Sequence, residues 1–184
     1  MTGWELPMGA SLGGREYAIC PDYRDILAVF AALEDPTEPE FVRWEVALAL
    51  FYAEPIPREH RQEAMEYLAS FLTCGRQEGV AGHRLLDWQQ DAAVIVADVN
   101  KVAGCEIRSL PFLHWWTFLS YFHAIGEGQL SALVAIREKL RTGKKLEKWE
   151  QEYYRKHKDR VDLKKQYNAE ELAQKARLEA LLGS

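Results

Sequence analysis

The most apolar helical segment of the chain runs from Pro111 to Ile125 and reads PFLHWWTFLSYFHAI. Proline suits the first turn of a helix and Gly126 suits its end, so the pattern predicts one helix over these residues. Large apolar side chains surround that helix on nearly every side, which is typical of a core or an interface. The segment is shorter than the roughly 20 residues that cross a bilayer. The sequence therefore predicts a packing element here and no membrane segment.

Helical periodicity predicts more helices on both sides of this segment. Asp22 is a suitable N-cap for the first, and Thr37 with Glu40 forms a capping-box pattern for the second. The second helix has Phe41, Trp44, Leu48 and Phe51 as its inward face. The run at 92–97 also fits a buried strand, but its helical period favours a helix. The predicted helices cover residues 22–35, 37–53, 57–74, 85–103, 111–125 and 130–141, the last with Leu133, Ile136 and Leu140 inward.

The two ends of the chain differ from its middle. Alternating apolar residues from Trp4 to Ile19 surround Gly13-Gly14, a pair that suits a tight β-hairpin turn. After Gly143 the chain is highly charged and has only a thin apolar stripe, and Asn168 with Glu171 can cap a last helix. We therefore predict a mainly α fold, a compact helical bundle with a short N-terminal β-hairpin and a C-terminal helical arm. The predicted boundaries are residues 1–20 for the hairpin or extended arm, 21–142 for the bundle and 143–184 for the arm.

Charge is unevenly distributed along the chain. The net charge is −5, yet residues 137–165 contain twelve Lys and Arg against six Asp and Glu, so the rest of the chain is strongly acidic. Trp149 and Tyr153 on this basic arm could stack on bases, but interleaved acidic residues favour a solvated, salt-bridged surface over a nucleic-acid site. The three cysteines, an odd number without a Cys-x-x-Cys motif, indicate reduced thiols in the cytoplasm. The N-terminal residues do not have the pattern of a secretory signal.

Few residues suggest reaction chemistry. Asp87, Asp91 and Asp98 share one face of the predicted fourth helix and could hold a cation or act as a base, but we expect a solvated acidic edge. His114 and His123 are too far round their helix to share a metal ion, and a core or interface role is expected. His83 lies in a glycine-flanked loop without an identifiable nucleophile beside it. The sequence thus predicts no catalytic residue, no cofactor and no metal site.

Several segments together resemble the bacteriophage "gene product fifteen" family, found in phages and prophages of Gram-positive bacteria. The resemblance covers about residues 5 to 165, and its most distinctive part is the His-Trp-Trp-x-Phe element. The segments that carry it are Gly13-Gly14-Arg15-Glu16-Tyr17-Ala18-Ile19, Asp22-Tyr23-Arg24, Asp91 with its helix, Leu113-His114-Trp115-Trp116-x-Phe118 and Ile136-Arg137.

The resemblance implies a non-enzymatic tail assembly chaperone that keeps the tape measure protein soluble while a phage tail assembles. Its partners would be the tape measure protein and other tail assembly proteins, with several copies acting together in the cytoplasm of the bacterial host. The residues expected to contact a partner are Trp115, Trp116, Phe122, Trp149 and Tyr153. Two alternatives stay open: a virion structural protein of the tail or head–tail joint, and a small metal-dependent enzyme using Asp87, Asp91 and His83.

Overall fold

The computed structural model describes residues 5–75 and 84–182 of the chain. Helices dominate these residues, and one two-stranded sheet precedes them, which confirms the predicted mainly α fold with an N-terminal hairpin. Single 3-10 turns lie at Arg58–His60 and Ile107–Ser109. The strands and helices are β1 (Gly9–Leu12), β2 (Arg15–Ala18), α1 (Tyr23–Leu33), α2 (Glu40–Phe51), α3 (Arg61–Leu72), α4 (Ala92–Ala103), α5 (Trp115–His123), α6 (Gln129–Arg141), α7 (Lys148–Lys156), α8 (Lys158–Val161) and α9 (Ala169–Leu182).

The chain divides into two compact units. One unit comprises Met1–Gln77 together with Lys165–Ser184, and the other comprises Glu78–Lys164. The three segments expected from the sequence, with boundaries after residues 20 and 142, stay a prediction. None of the helices in the described ranges has the length and apolar content needed to cross a membrane.

The hairpin of the first unit turns at Gly13 and Gly14, as the sequence predicted. Both glycines have positive φ, 55° and 80°, and β1 pairs antiparallel with β2 so that Leu12 faces Arg15. Strand pairing starts at Gly9, later than the alternation suggested; Leu6 and Met8 are exposed, and Trp4 lies outside the described residues.

The hairpin packs against α3 and the turn before it. Gly13 N donates to Glu63 Oε2 at 2.7 Å, Tyr67 Oη donates to Gly9 O at 2.8 Å, and Tyr17 Oη lies 3.0 Å from His60 Nδ1. A side chain at Gly13 would meet the His60 ring, with Cβ only 2.2 Å from Nε2. These contacts supply what an isolated hairpin lacks, since two strands alone are marginally stable in water.

Helices α1 and α2 pack against each other, and their first turns form in different ways. Asp22 caps α1 as predicted, accepting from Arg24 N at 2.9 Å. The predicted capping box at Thr37 is wrong: Thr37 donates its backbone N–H and its hydroxyl to Asp35 Oδ1, which closes a turn. Helix α2 therefore starts at Glu40, after Pro39. Phe41, expected to face inward, is 70% exposed.

In the second unit, two helices start later than predicted. Helix α4 begins at Ala92 and not at residue 85, because Asp87 accepts the backbone N–H groups of Gln89 and Gln90 and holds a turn there. The helical reading of residues 92–97 is correct. Helix α5 begins at Trp115 and not at Pro111, because His114 has extended backbone and caps the helix with its ring.

The segment from Lys144 to Lys164 belongs to the second unit. Leu133, Ile136 and Val161 form a buried cluster, and Leu146, Tyr153 and Tyr154 pack against it. Leu140, predicted to point inward on α6, is 37% exposed. In the first unit, Asn168 and Glu171 form the predicted capping box at the start of α9, with bonds of 3.0 and 2.8 Å.

Candidate functional site

An aromatic cluster lies on α5 and the turn before α4. Trp88 contacts Trp115, Phe118 and Phe122 with ring centroids 5.8, 6.2 and 5.2 Å apart, and Trp115 stacks on Phe118 at 5.4 Å. Such offset and edge contacts stabilise aromatic pairs beyond their apolar burial. Trp115 and Phe118 are each 1% exposed, whereas Trp88 and Phe122 are half-buried. The cluster is a core with Phe122 at its edge.

The tryptophans expected to contact a partner divide into core and surface. Trp115 is buried, and a partner cannot reach it while the fold is intact, so it belongs to the core and not to an interaction surface. Trp116 is half-buried. Phe112, which the sequence reasoning did not single out, is 49% exposed, and its ring lies 6.5 Å from that of His114. The extended backbone before α5 turns Phe112 outward, a boundary effect that helical periodicity does not detect.

The two histidines of this region have separate positions. His114 is 2% exposed and accepts from Trp116 N through Nδ1 at 3.0 Å, so it caps α5. His123 lies in the last turn of α5 and is exposed. Groups of histidine, cysteine and carboxylate side chains that could hold a metal ion are absent from residues 5–75 and 84–179. His83, the third member of the open metal-enzyme alternative, lies outside the described residues.

The three aspartates do not form the solvated acidic edge expected from the sequence. Asp91 and Asp98 are 1% and 2% exposed, and each is engaged in a charged hydrogen bond. Asp87 is half-buried, pairs with Arg84, and accepts from two backbone N–H groups. Buried carboxylates need such partners because an unpaired buried charge is very costly. The prediction was wrong because helical periodicity shows which residues share a face but not what packs on it.

Asp91 and Arg137 form a buried bidentate ion pair. Arg137 Nη1 and Nη2 donate to the two Asp91 oxygens at 2.6 and 2.8 Å. The same guanidinium donates from Nε to Val161 O at 2.7 Å, from Nη1 to Leu85 O at 3.0 Å and from Nη2 to Arg160 O at 2.9 Å. All five N–H donors of the guanidinium are therefore used. The pair joins α4, α6 and the segment around Val161 into one unit.

The sequence contains a signal for this pair in the position of Arg137 on its helix. Leu133, Ile136, Arg137 and Leu140 follow the i, i+3, i+4, i+7 pattern of a buried helix face, so Arg137 occupies a core position on α6. An arginine there requires a buried acceptor, and Asp91 is that acceptor.

Asp98 caps a helix to which it does not belong. From α4 it accepts from Leu130 N, near the start of α6, at 2.8 Å, and from Lys101 Nζ at 2.6 Å. Burial raises the pKa of the Asp98 carboxyl, but hydrogen bonds from Leu130, Lys101 and Gln129 outweigh burial, and the pKa is lowered. Gly128 makes room for the carboxylate, since a Cβ at Gly128 would lie 2.6 Å from Asp98 Oδ2.

The two aromatic residues expected to bind a partner from the arm also differ. Tyr153 is half-buried in the cluster formed with Leu133, Ile136 and Val161. Trp149, one turn earlier on α7, is 53% exposed, and its indole N–H donates to Glu147 Oε2 at 3.1 Å. Trp149 is thus the most accessible residue of the expected set.

The first unit has an exposed apolar face that the sequence reasoning did not identify. On α2, Phe41, Val46 and Leu50 are 70%, 44% and 37% exposed. A cavity of about 230 Å³ lies at the end of the same helix, with Leu48, Ala49, Tyr52 and Ile56 among its walls. Its position beside an exposed apolar helix makes it a candidate site for an apolar side chain of another molecule.

The Bacteriophage Gp15 protein family matches residues 5–163. The chain belongs to this family. No curated protein and no solved structure matches the chain. Membership makes the chain a bacteriophage protein with a structural or assembly role, in a family not known for enzymes.

The segments that suggested the Gp15 family from the sequence alone are mostly occupied in holding the fold. Gly13 and Gly14 form the hairpin turn, Asp22 caps α1, and Asp91 pairs with Arg137. In the His-Trp-Trp-x-Phe element, His114 caps α5 while Trp115 and Phe118 are buried. These Gp15 segments therefore identify the fold, and the accessible apolar residues lie elsewhere.

Proposed function

We propose that the chain is a non-enzymatic tail assembly chaperone that keeps the tape measure protein of its phage soluble until the tail tube forms around it. Family membership supports a role in phage structure or assembly. The observation that carries the finer proposal is the exposure of large apolar side chains on helices of a chain with net charge −5: Phe41 is 70% exposed and Trp149 is 53% exposed. On α2, Val46 and Leu50 are also exposed one turn apart, and apolar residues grouped in this way are typical of surfaces that bind other proteins.

A tape measure protein is a long, helical and apolar client. Its amphipathic helices would aggregate if left bare, and a chaperone covers them with apolar surface of its own. Each Å² of apolar area so covered contributes roughly 25 cal/mol. The negative net charge of the chain keeps the covered client in solution through repulsion between complexes. The residues proposed to contact the tape measure protein are Trp116, Phe122, Trp149 and Tyr153. Several copies of the chain are proposed to act on one client.

The roles of the polar side chains support a function without catalysis. In the described part of the chain, Asp91 is held by Arg137, Asp98 caps α6, and His114 caps α5. These three groups, which first suggested reaction chemistry, therefore have structural roles. This supports an assembly factor that works by binding in the host cytoplasm, where tails are built.

Co-expression tests the proposal. The tape measure protein of the same phage is produced in bacteria with the chain, or with an unrelated acidic protein of similar size, and its amount in the soluble fraction is measured. The proposal expects soluble tape measure protein only when the chain is present. An equal soluble fraction with the unrelated protein would refute the chaperone role.

A virion structural protein of the tail or head–tail joint is the second candidate, and family membership supports it equally. Mass analysis of purified particles separates the two candidates. The chaperone proposal expects the chain in lysates and not in mature particles. A fixed number of copies in every particle would establish the structural role instead.

A further inference from the structure

Helix α2 is apolar on two sides; among the described residues, one side is packed and the other is largely exposed. Ala47, Leu48 and Phe51 form its buried face. Val42, Val46 and Leu50 follow each other at i, i+4 and i+8 along the opposite side, where Val46 and Leu50 are 44% and 37% exposed. A helix of a folded monomer normally has polar residues on that side. We call this row, with the neighbouring Phe41, Glu45 and Ala49, the α2 outer face.

The cavity described above continues this face. Ala49 and Glu45 belong both to the α2 outer face and to the cavity wall, so the cavity adjoins this face; Glu54 and Arg61 also line it. The Tyr52 hydroxyl donates to Ala64 O at 3.1 Å. Tyr52 therefore lines the cavity with its aromatic ring, because its hydroxyl is already hydrogen-bonded. A cavity of about 150 Å³ is known to hold benzene, and about 230 Å³ therefore has room for one leucine or aromatic side chain.

The charge around this face is mainly negative. Residues 34–54 contain six carboxylates and one cation, Arg43, which is half-buried and donates from Nη1 to Leu33 O at 2.9 Å. Glu45 pairs with Arg61 at the cavity wall and Glu54 pairs with Arg15, so the exposed Glu38 and Glu40 form the acidic border. The surface therefore combines an apolar row, a cavity for one side chain and an acidic border. A partner that matches all three has apolar residues on one side and Lys or Arg beside them.

We propose that the α2 outer face binds an amphipathic helix whose apolar stripe is bordered by Lys and Arg, with one leucine or aromatic side chain of that helix in the cavity. Helix-in-groove binding of this kind uses apolar anchors at i, i+3 or i+4, and i+7. The assignment of the helix to the tape measure protein rests on the proposed function; the chemistry of the binding surface does not.

Two fluorescent peptides test the surface directly. The first is LKKLLKLLKKLLKL, and the second is LEELLELLEELLEL, which keeps the apolar stripe and reverses the charge. Binding to the full chain is measured by fluorescence anisotropy at low and high salt. The proposal expects the lysine peptide to bind about ten-fold more tightly than the glutamate peptide at low salt, with a smaller ratio at high salt.

Val46→Glu is the decisive variant. Glutamate suits an exposed helix position, so α2 is expected to fold. If the lysine peptide were attracted by charge alone, the added carboxylate would tighten binding. If the peptide lies on the apolar row, a charge in its middle weakens binding by about ten-fold. Val102→Glu, at a 38% exposed valine on α4, is the matched control and is expected to leave the affinity within about two-fold.

A second variant tests the cavity without adding charge. Ala49→Trp fills the opening from an exposed helix position and is expected to weaken the lysine peptide by about the same factor. Circular dichroism of each variant verifies that the helices are intact. Equal binding of the two peptides, or unchanged binding in Val46→Glu, would overturn the proposal.

The result is separable from the test of the chaperone role. If the chain solubilises the tape measure protein but Val46→Glu does so equally well, the chaperone works through another face and this inference fails alone. If the lysine peptide binds as expected but the tape measure protein stays insoluble, the surface is established and the chaperone role fails. A lower sedimentation coefficient of free Val46→Glu, without any effect on the peptide, would assign the face to a second copy and overturn the proposal.

Discussion

Arg137 forms a buried ion pair with Asp91 inside the second unit. The Arg137 side chain is 4% exposed, and the side chain of its partner Asp91 is 0% exposed. A buried pair of this kind contributes little net stability compared with apolar residues of the same volume, because desolvation offsets the attraction. Removal of one partner is different, since it leaves the other charge buried and unpaired. The loss of stability on substitution of Arg137 therefore tests whether the Asp91–Arg137 pair is buried.

Arg137→Met is expected to lower the free energy of unfolding by about 3–5 kcal/mol, because Asp91 loses its partner and three carbonyl groups lose a donor. Urea unfolding followed by circular dichroism measures this. Arg141→Met is the matched control, since Arg141 forms its ion pair with Glu138 on the exposed surface of the same helix. Equal midpoints for the two variants would mean that the Asp91–Arg137 pair is not buried.

Gly128 allows Asp98 to reach the start of α6. A methyl group at this position would lie 2.6 Å from Asp98 Oδ2, whereas one at Gly126 would meet no atom within 4 Å. Gly128→Ala is therefore expected to lose about 1–3 kcal/mol of stability through overpacking, and Gly126→Ala is expected to be neutral or slightly stabilising. Thermal unfolding of the two variants checks this, and a loss in Gly126→Ala as large as in Gly128→Ala would contradict it.

Two local helix caps were predicted from the sequence, whereas the hydrogen bonds to distant partners were not. Asp22 caps its own helix two residues away, and Asn168 with Glu171 forms a box within four positions, so local patterns were sufficient. Asp91 and Asp98 find their partners 46 and 32 residues away. The sequence showed that the carboxylates share a face, but only the packing of α4 on α6 turns that face inward.

At the scale of elements, helix α6 depends on α4 for its first turn. The first N–H groups of a helix need acceptors, and Gly128 has no side chain to supply one. Asp98, on α4, accepts a hydrogen bond from Leu130 N at the start of α6. It therefore takes the role that the side chain of an N-cap residue normally has within its own helix. Lys139 Nζ and Glu150 Oε1 link α6 to α7 at a distance of 2.6 Å. The hydrogen bond from Lys139 lowers the pKa of Glu150, and so does the hydrogen bond from Glu147 N.

The hydrogen bonds that Asp98 accepts predict that the stability of the chain depends on pH. The pKa of Asp98 is lowered in the folded chain, so the unfolded chain binds its proton first as the pH falls. The contribution of the Asp98 carboxylate to the free energy of unfolding is complete above its unfolded pKa of about 3.9. This contribution is lost as the pH falls through the lower pKa of the folded chain. The urea midpoint of the wild type is therefore expected to fall below about pH 4 more steeply than that of Asp98→Asn.

The control for this experiment is the comparison at neutral pH. There Asp98→Asn is expected to be less stable than the wild type, because the amide keeps an acceptor for Leu130 N but loses the charge that binds Lys101. The two curves should then converge in acid. A constant difference from pH 7 down to pH 3 would show that Asp98 does not titrate in a way linked to folding.

The sequence predicted which helices exist better than where they begin. Pro111 is a good first residue for a helix, yet α5 begins at Trp115, since the His114 ring caps it. Helix α2 was assigned a single apolar face, but its apolar residues lie on two sides. Periodicity could not decide which side packs, and Phe41 was placed inward although it is 70% exposed.

At the scale of the whole molecule, the chain belongs to a phage family and combines two helical units with exposed apolar residues. The resemblance gave the family correctly, because segments such as Gly13-Gly14 and Asp91 hold the fold. Within those segments Asp91, His114, Trp115 and Phe118 are buried and therefore not accessible to a partner. Trp149 on α7, expected from the sequence to contact a partner, is exposed, whereas the exposure of Phe41 on α2 could be recognised only after the packing was known. Binding of an apolar helical client is therefore the claim on which the functional account depends.

Light scattering of the tape measure protein of the same phage tests that claim most directly. The purified tape measure protein is diluted from urea into buffer with increasing amounts of the chain, or with equal masses of serum albumin. We expect scattering to fall in proportion to the chain added and to stay high with albumin. Scattering that is the same with both proteins would contradict it.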